Sequence, residues 1–255
     1  MYFELITIPC LSDNYAFILY NVENRSALLV DAPEAGPINK VLTENNLNLE
    51  KIFLTHHHAD HIDGLDKILE KHCAITIGAK ADTHRLPKLD EYVQAGDKFF
   101  FQGQAGQIFD VTGHTVGHLA LYVPSQNVLF SGDSLMALGC GRLFEGSAEQ
   151  MWHSLSLFLS LPDTTQICSG HEYTENNASF ALSIDPNNRD LIKRSEQIKL
   201  ARSNDLFTVP SELGLEKKTN PFLRPFDKNI RENLNMHRST DVEVFSKIRT
   251  LKDNF

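Results

Sequence analysis

The stretch that decides the fold is residues 52–64, IFLTHHHADHIDG. Its apolar start predicts a strand that ends at a loop of histidines and acidic residues. Because alternate residues of an extended chain share a face, His56 and His58 are expected on one side of that loop. Asp60 and His61 follow at the turn into a helix. The loop therefore gathers four potential metal ligands.

Four such side chains within six residues suit a divalent transition metal, because imidazole and carboxylate groups both coordinate such ions. A single ion cannot comfortably take all four from so short a loop, so two neighbouring metals are favoured. The alternative is a histidine-rich surface loop that binds metal only by accident. His57 alternates away from its neighbours and is expected to pack or to support a ligand.

Ligand-type residues also follow three later strand-like runs. His114 comes after IFDVTG, Asp133 after VLFSG and His171 after TQICSG. Each directly follows a glycine, which allows a sharp turn and close approach of the backbone to an ion. Any one of them alone would be an ordinary surface or core residue. Four ligand-bearing strand ends in one chain are much harder to explain by chance.

The composition narrows the class of protein. The chain has 255 residues, of which 42% are hydrophobic and 22% charged, as in globular proteins. No window approaches the roughly 18 apolar residues of a membrane span, and the start MYFELITIPC indicates a strand rather than an export signal. The scattered cysteines favour reduced thiols and a cytoplasmic location. The net charge of −9 disfavours a nucleic-acid partner.

The pattern of hydrophobic residues along the sequence changes near His171. Before it, short runs rich in Ile, Val, Leu and Phe alternate with helix-like stretches, one of them over residues 61–71. This mixture predicts an α/β domain over residues 1–171 with helices outside its sheets. Afterwards strand-like runs nearly vanish, and segments such as NRDLIKRSEQIKLARSND indicate amphipathic helix. A helical domain is therefore predicted over residues 172–255.

The order HxHxDH, GH, GD and GH, each after a strand, resembles the pattern of the metallo-β-lactamase superfamily. The resemblance covers essentially the whole chain and implies an αββα sandwich with metals at one edge between the two sheets. It implies two divalent ions per chain, zinc being expected and iron or manganese the alternatives. The implied ligands are His56, His58 and His114 for one ion, Asp60, His61 and His171 for the other, and Asp133 bridging both. Asp31, at the end of ALLVD, resembles an early aspartate of this pattern and is expected to orient the ligands, with a helix N-cap as the alternative.

Three further segments resemble the glyoxalase II family within that superfamily. They are GCGRLFEG at residues 139–146, GHEYTENN at 170–177 and TNPFLR at 219–224. The resemblance implies hydrolysis of S-(2-hydroxyacyl)glutathione thioesters, such as S-D-lactoylglutathione, in methylglyoxal detoxification by a chain expected to be a monomer. The implied substrate contacts are Arg142, Leu143, Phe144, Tyr173, Arg224 and Lys228.

The expected chemistry is attack by a hydroxide held between the two metals, with Asp60 holding or receiving its proton. A thiolate leaves readily at a thiol pKa near 8.5, so a dedicated general acid is less necessary than in amide hydrolysis. The alternatives are a mono-iron persulfide dioxygenase, another hydrolase of the same fold, or a metal-binding protein without turnover. The full set of seven ligand-type residues favours an enzyme.

Overall fold

The computed structural model describes residues 2–255 and divides into two compact units. The first comprises the chain up to Asp110 together with Val116–Gly132, and the second comprises Val111–Thr115 together with Asp133–Phe255. These units are defined by contacts within the fold. The domain boundary expected after residue 171 rests on the change from strand-like runs to amphipathic helix patterns in the sequence, and it stays a prediction.

The first unit holds most of the strands. Its strands are β1 Phe3–Cys10, β2 Asn14–Asn21, β3 Ser26–Val30, β4 Asn48–Phe53, β5 Ile75–Ala79, β6 Glu91–Val93, β7 Lys98–Phe101, β8 Gln104–Asp110, β9 Leu119–Val123 and β10 Val128–Gly132. Its helices are α1 Ala35–Glu44, α2 Ala59–Ile62 and α3 Leu65–Leu69. Two 3₁₀ turns cover Lys80–Asp82 and Pro124–Gln126.

One sheet of this unit runs in the order β1-β2-β3-β4-β5-β6. Strands β1 to β3 pair antiparallel, whereas β3 to β6 pair parallel. Every residue of β2 and β3 is buried, as expected for strands that are covered on both faces. Because β3 and β4 run parallel, their carboxyl ends meet at one edge, where the amide of Asp31 donates to the carbonyl of Phe53 at 2.9 Å. That edge carries the histidine loop.

Four strands of a second sheet also lie in this unit, in the order β10-β9-β8-β7, all antiparallel. Strands β9 and β10 are buried throughout, β7 alternates exposed with buried positions, and β8 is half-buried or exposed except at Ile108. The amide of Leu119, at the start of β9, donates to the carbonyl of Thr55 at 2.9 Å. This bond fixes the beginning of the histidine loop against β9.

The helix predicted over residues 61–71 is broken in the structure. Helix α2 ends at Ile62, and α3 begins at Leu65. Gly64 lies at the break, where an added Cβ would come within 2.8 Å of the carbonyl oxygen of Ala32 and of the amide nitrogen of Ala35. The close approach of the backbone of Ala32 and Ala35 requires a residue without a side chain at this break.

The second unit is mainly helical. Its helices are α4 Ala148–Phe158, α5 Thr174–Ile184, α6 Arg189–Ser203, α7 Leu213–Thr219, α8 Lys228–Asn233 and α9 Asp241–Asp253. Its strands are β11 Leu135–Met136, β12 Gly139–Cys140, β13 Gln166–Ser169 and β14 Ser211–Glu212, and a 3₁₀ turn covers Pro221–Leu223. A buried apolar cluster joins the turn after β11 to helices α5 and α6 through Leu138, Ala178, Ala181, Leu191 and Ile198. The predicted helical C-terminal region is confirmed.

Candidate metal centre

Asp31 organises the edge where β3 and β4 end. Its carboxylate accepts from the amide of Thr55 at 2.8 Å, from the Thr55 hydroxyl at 2.9 Å and from Nδ1 of His61 at 2.8 Å. A carboxylate on Nδ1 fixes the tautomer of the imidazole, so Nε2 of His61 is the nitrogen left available to coordinate an ion. The N-cap of α1 is Glu34, so Asp31 does not have that alternative role.

His56 and His58 converge within the loop. Nε2 of His56 lies 3.1 Å from Nδ1 of His58, and His56 is fully buried. Two imidazole nitrogens on one tetrahedral zinc, with bonds of about 2.05 Å, would lie roughly 3.3 Å apart. Nδ1 of His56 contacts the Thr55 hydroxyl at 3.0 Å, which leaves Nε2 available to coordinate an ion. The pair therefore has the spacing of two ligands to one ion.

Asp60 is held by a residue that the sequence did not single out. The side-chain amide of Asn14, at the start of β2, donates to Oδ2 of Asp60 at 2.9 Å and to its backbone oxygen at 3.0 Å. The same Oδ2 lies 3.9 Å from Nε2 of His61. Asn14 is buried and lies 46 positions away in the chain. It reaches the loop because β2 pairs with β3 and β3 pairs with β4.

Asp133 lies between two histidines in the second unit. Its Oδ2 is 3.1 Å from Nε2 of His171 and 3.5 Å from Nε2 of His114, and all three side chains are buried. His114 donates its Nδ1–H to the carbonyl of Arg142 at 2.8 Å, which directs Nε2 towards the carboxylate. One carboxylate oxygen near two imidazole nitrogens is the arrangement expected of a bridging ligand.

The donor set fits divalent metal. All seven predicted ligands are among the histidine and aspartate side chains that could hold an ion. In three of the histidines one ring nitrogen contacts a supporting oxygen, so the other is presented for coordination, as is usual for histidine ligands. Imidazole and carboxylate together accept zinc, iron or manganese.

The two remaining histidines near the loop have other partners. Nδ1 of His57 lies 2.8 Å from Oδ2 of the buried Asp82, so this ring supports the loop, as predicted from its alternation. His118 is fully buried, and its ring stacks on that of His56 at a centroid distance of 4.6 Å. No motif in the sequence predicts this contact, because His118 directly precedes β9 and lies apart from the ligand motifs.

The predicted substrate residues fall into two groups. In the first, the ring of Phe144 lies 5.2 Å from that of His114, and the ring of Tyr173 stacks on His171 at 4.7 Å. Both aromatic side chains are exposed, as is Arg142, whereas Leu143 is half-buried. These four residues adjoin the Asp133 side of the centre.

Arg224 and Lys228 form the second group. The guanidinium of Arg224 is buried and donates to Asp185 at 2.6 Å and to Asp227 at 2.5 Å. Lys228 is exposed at the start of α8. Both terminal nitrogens of Arg224 already engage carboxylates, and these bonds tie the turn after α7 to helices α5 and α8. A contact of Arg224 and Lys228 with substrate stays a prediction.

Lys252 is a cation that the sequence reading missed. Burial, followed by the positive charges of Arg249 and Arg142, lowers the pKa of Lys252 to about 8. Its ammonium donates to the side chain of Asn176 and lies 5.3 Å from the Phe180 ring. The spacing of Arg249 and Lys252, three residues apart on one face of α9, was the available signal.

Comparison with known proteins identifies the family. The family model described as "Hydroxyacylglutathione hydrolase C-terminus" matches residues 172–255, and that described as "Metallo-beta-lactamase superfamily" matches residues 14–171. A curated hydroxyacylglutathione hydrolase from Roseobacter denitrificans is 54% identical over 252 residues, covering 99% of each chain. The chain belongs to the hydroxyacylglutathione hydrolase family. The predicted glyoxalase II resemblance is thus confirmed.

Other members of the hydroxyacylglutathione hydrolase family are similar over the same length. The relative from Ruegeria pomeroyi is 51% identical and covers 99% of each chain, and that from Rhodobacter capsulatus is 44% identical and covers 100% of each. The similarity therefore spans both the ligand-bearing part and the helical part of this family member.

Solved structures confirm the fold class of this family member. The BLEG-1 B3 metallo-β-lactamase matches with a TM-score of 0.68 at 22% identity, covering 87% of this chain and all of that one. ETHE1 from Myxococcus xanthus matches with a TM-score of 0.65 at 23% identity, covering 98% and 90%. These likenesses confirm the αββα metallo-β-lactamase fold. Within residues 2–255, no helix is long and apolar enough to cross a membrane.

Proposed function

We propose that this protein is a metal-dependent thioester hydrolase that converts S-(2-hydroxyacyl)glutathione to glutathione and a 2-hydroxy acid. The observation that carries the reaction class is the Asp133 carboxylate oxygen, 3.1 and 3.5 Å from two imidazole nitrogens. The substrate class rests on curated relatives, 44–54% identical, that are named hydroxyacylglutathione hydrolase. S-D-lactoylglutathione, which would give D-lactate, is the proposed substrate in methylglyoxal detoxification.

Two divalent ions per chain are proposed, with zinc as the expected metal and iron or manganese as alternatives. The proposed ligands are His56, His58 and His114 for one ion, Asp60, His61 and His171 for the other, and Asp133 for both. When bound, such ions would polarise a carbonyl and lower the pKa of a bound water to about 7.

Asp60 is the proposed group that holds the proton of the attacking water. The Asn14 amide donates to its Oδ2, which keeps the carboxylate oriented. The glutathione thiol leaves as a thiolate with a pKa near 8.5, so no side chain is required to protonate it. The residues of the chain thus need only orient water, carbonyl and substrate.

Arg142 and Lys252 offer a place for a carboxylate of glutathione. The pKa of Lys252 is lowered chiefly by burial and then by the positive charges of Arg249 and Arg142, so Arg142 and Lys252 repel each other. An anion between them would relieve that repulsion, and guanidinium is well suited to bind carboxylate. The exposed rings of Phe144 and Tyr173 would flank the peptide. The originally predicted pair, Arg224 and Lys228, remains the alternative position for the glycine carboxylate.

The role of Lys252 predicts a pH-dependent Michaelis constant. Its ammonium is charged below about pH 8 and neutral above it, so KM of the wild-type protein should rise as the pH passes 8. Lys252→Met should raise KM about tenfold at pH 7 with little change in kcat, since a charged hydrogen bond is lost. Lys252→Arg should keep KM low across the range. Steady-state kinetics from pH 6.5 to about 9.5 measure these effects.

Lys228→Met is the matched comparison for that experiment. If Lys228→Met raises KM while Lys252→Met leaves it unchanged, the glycine carboxylate binds at Arg224 and Lys228, and the placement at Lys252 is wrong.

The proposed function is tested by hydrolysis of S-D-lactoylglutathione with metal analysis of the same sample. We expect chelator-sensitive turnover, loss of thioester absorbance and about two metal ions per chain. No turnover in a fully metallated sample would exclude this substrate and leave persulfides or other thioesters to be assayed on the same fold.

We also propose that the protein acts as a cytoplasmic monomer without a nucleic-acid partner. The net charge of −9 argues against binding phosphate backbones. Cys10, Cys73 and Cys140 carry free thiols, in keeping with a reducing compartment.

A further inference from the structure

The segment between Asp133 and Arg142 contains a ribbon of two very short strands. Strands β11 and β12 pair antiparallel through only two residue pairs. The turn between them passes through Leu138, which has a φ of +55°, a conformation that is unfavourable for leucine. A two-stranded ribbon of this length is not stable alone, so other parts of the molecule must hold it. We call residues 135–140 the β11–β12 ribbon.

Buried side chains from the helical part hold the backbone of the turn. Oε2 of Glu216, in α7, accepts the amide of Leu138 at 2.8 Å. The amide of Asn220, just after α7, donates to the carbonyls of Met136 at 3.2 Å and Gly139 at 3.1 Å. The same amide donates to Oε2 of Glu216 at 3.1 Å. The ribbon is therefore seated on α7 by side chains rather than by a neighbouring strand.

Side chains from two further helices donate to two more carbonyls of the ribbon. Asn177, in α5, donates to the carbonyl of Ala137 at 3.0 Å. Arg249, in α9, donates to the carbonyl of Cys140 at 2.8 Å. Polar groups buried without such partners would be strongly unfavourable, so the positions of the helices and of the ribbon are coupled.

Glu216 is the centre of this network. Its side chain is fully buried and forms an ion pair with Arg194, and its Oε1 also accepts the hydroxyl of Ser211 at 2.7 Å. Arg194 is oriented in turn by the hydroxyl of Thr219 at 2.6 Å. A buried ion pair is weak grounds for stability but can fix a unique arrangement of its neighbours. Here one carboxylate oxygen faces Arg194 and the other faces the ribbon.

The ribbon leads directly into the metal centre. Gly141 follows it and packs so tightly that an added Cβ would lie 2.0 Å from the carbonyl oxygen of Asp133. The next residue, Arg142, supplies the carbonyl that accepts Nδ1–H of His114. A displacement of the ribbon would therefore move both the backbone beside Asp133 and the acceptor that sets the orientation of His114.

We propose that Glu216 is a positioning residue for hydrolysis. By holding the β11–β12 ribbon, it fixes the positions of the carbonyl and the side chain of Arg142. The carbonyl in turn sets the orientation of His114. The effect on turnover rests on the proposed function, whereas the effect on His114 does not. Glu216→Gln retains the shape but replaces one acceptor by an NH₂ group. Whichever way the amide turns, a donor then faces either Arg194 or the amide of Leu138.

The test compares Glu216→Gln with Ser211→Ala, which removes a bond to the same carboxylate on the side away from the ribbon. On zinc-loaded protein we would measure kcat, KM, the thermal midpoint, the NMR signal of His114 Nδ1–H and the exchange rate of the Leu138 amide. In Glu216→Gln we expect kcat/KM to fall at least about tenfold, the Leu138 amide to exchange at least about tenfold faster and the His114 signal to shift. Ser211→Ala should leave kcat/KM and the exchange rate of the Leu138 amide within about twofold of wild type, whatever its thermal midpoint. The His114 signal of Ser211→Ala should stay at its wild-type position.

Asn177→Ala is the second variant, should Glu216→Gln fail to fold. This variant removes the hydrogen bond to the Ala137 carbonyl, and it should shift the His114 signal by less than Glu216→Gln does. Unchanged His114 and Leu138 signals in a folded Glu216→Gln or Asn177→Ala protein would overturn the proposal. If wild type hydrolyses no thioester, the proposed function fails while these two signals still decide the role of Glu216.

Discussion

Replacing Asp133 by alanine is expected to lower kcat/KM for S-D-lactoylglutathione by at least about 10³-fold. The carboxylate lies 3.1 Å from Nε2 of His171 and 3.5 Å from Nε2 of His114, so its loss removes the group that both histidines face. Two neighbouring metal ions would also repel each other without the carboxylate between them, so metal should bind less tightly. Metal content after gel filtration and steady-state kinetics on the same sample measure the two effects.

Asp163→Ala provides the matched control for that variant. Asp163 is an exposed carboxylate that pairs with Lys217 at 2.7 Å, and its removal should leave turnover and metal content unchanged. An Asp133→Ala protein with two metals and full turnover would show that the ligand assignment is wrong.

Asp31→Asn is expected to weaken metal binding and lower kcat/KM by about 10- to 100-fold each. Oδ1 of Asp31 accepts the Thr55 amide, while Oδ2 accepts both the Thr55 hydroxyl and Nδ1–H of His61. An asparagine that keeps the first bond presents NH₂ to His61, which favours the tautomer with its proton on Nε2, the proposed ligand atom. Asparagine tolerates the φ of +59° at this position, so backbone strain does not confuse the result.

Asp90→Asn is a close control for Asp31→Asn. Asp90 likewise accepts a threonine amide and the hydroxyl of the same threonine, Thr76, both at 2.8 Å. Its loss should affect stability alone. Competition with a chromogenic chelator measures zinc affinity in both variants, and equal affinity in Asp31→Asn and wild type would refute the orienting role of Asp31.

The sequence was most informative where the proposed ligands are close together in the chain. His56, His58, Asp60 and His61 share one loop, and the strand before it is visible as an apolar run. The α/β class followed from the alternation of strand-like and helix-like runs, and the αββα sandwich from the resemblance carried by the ligand-type residues at strand ends. These signals are local, so they survive in a single sequence without knowledge of the three-dimensional contacts.

The parts that could not be predicted depend on distant contacts. Asn14 reaches Asp60 across 46 positions, and the ion pair of Arg224 with Asp185 spans 39. A motif showed Arg224 as a cation but not the two carboxylates that engage it. Lys252 was overlooked for the same reason, because its proximity to Arg142 exists only once α9 has packed.

The seating of the β11–β12 ribbon has a consequence for the order of events on the ribosome. Every proposed ligand lies at or before His171, whereas the side chains that hold the ribbon come from residues 177–249. A nascent chain therefore exposes all of the proposed metal ligands well before the helices that hold the ribbon are synthesised. Contacts of such long sequence separation form late in folding. If the ribbon positions His114 as proposed, the chain becomes catalytically competent only after α9, the last of the helices described, has been synthesised and has packed. The early synthesis of the histidine loop is not sufficient.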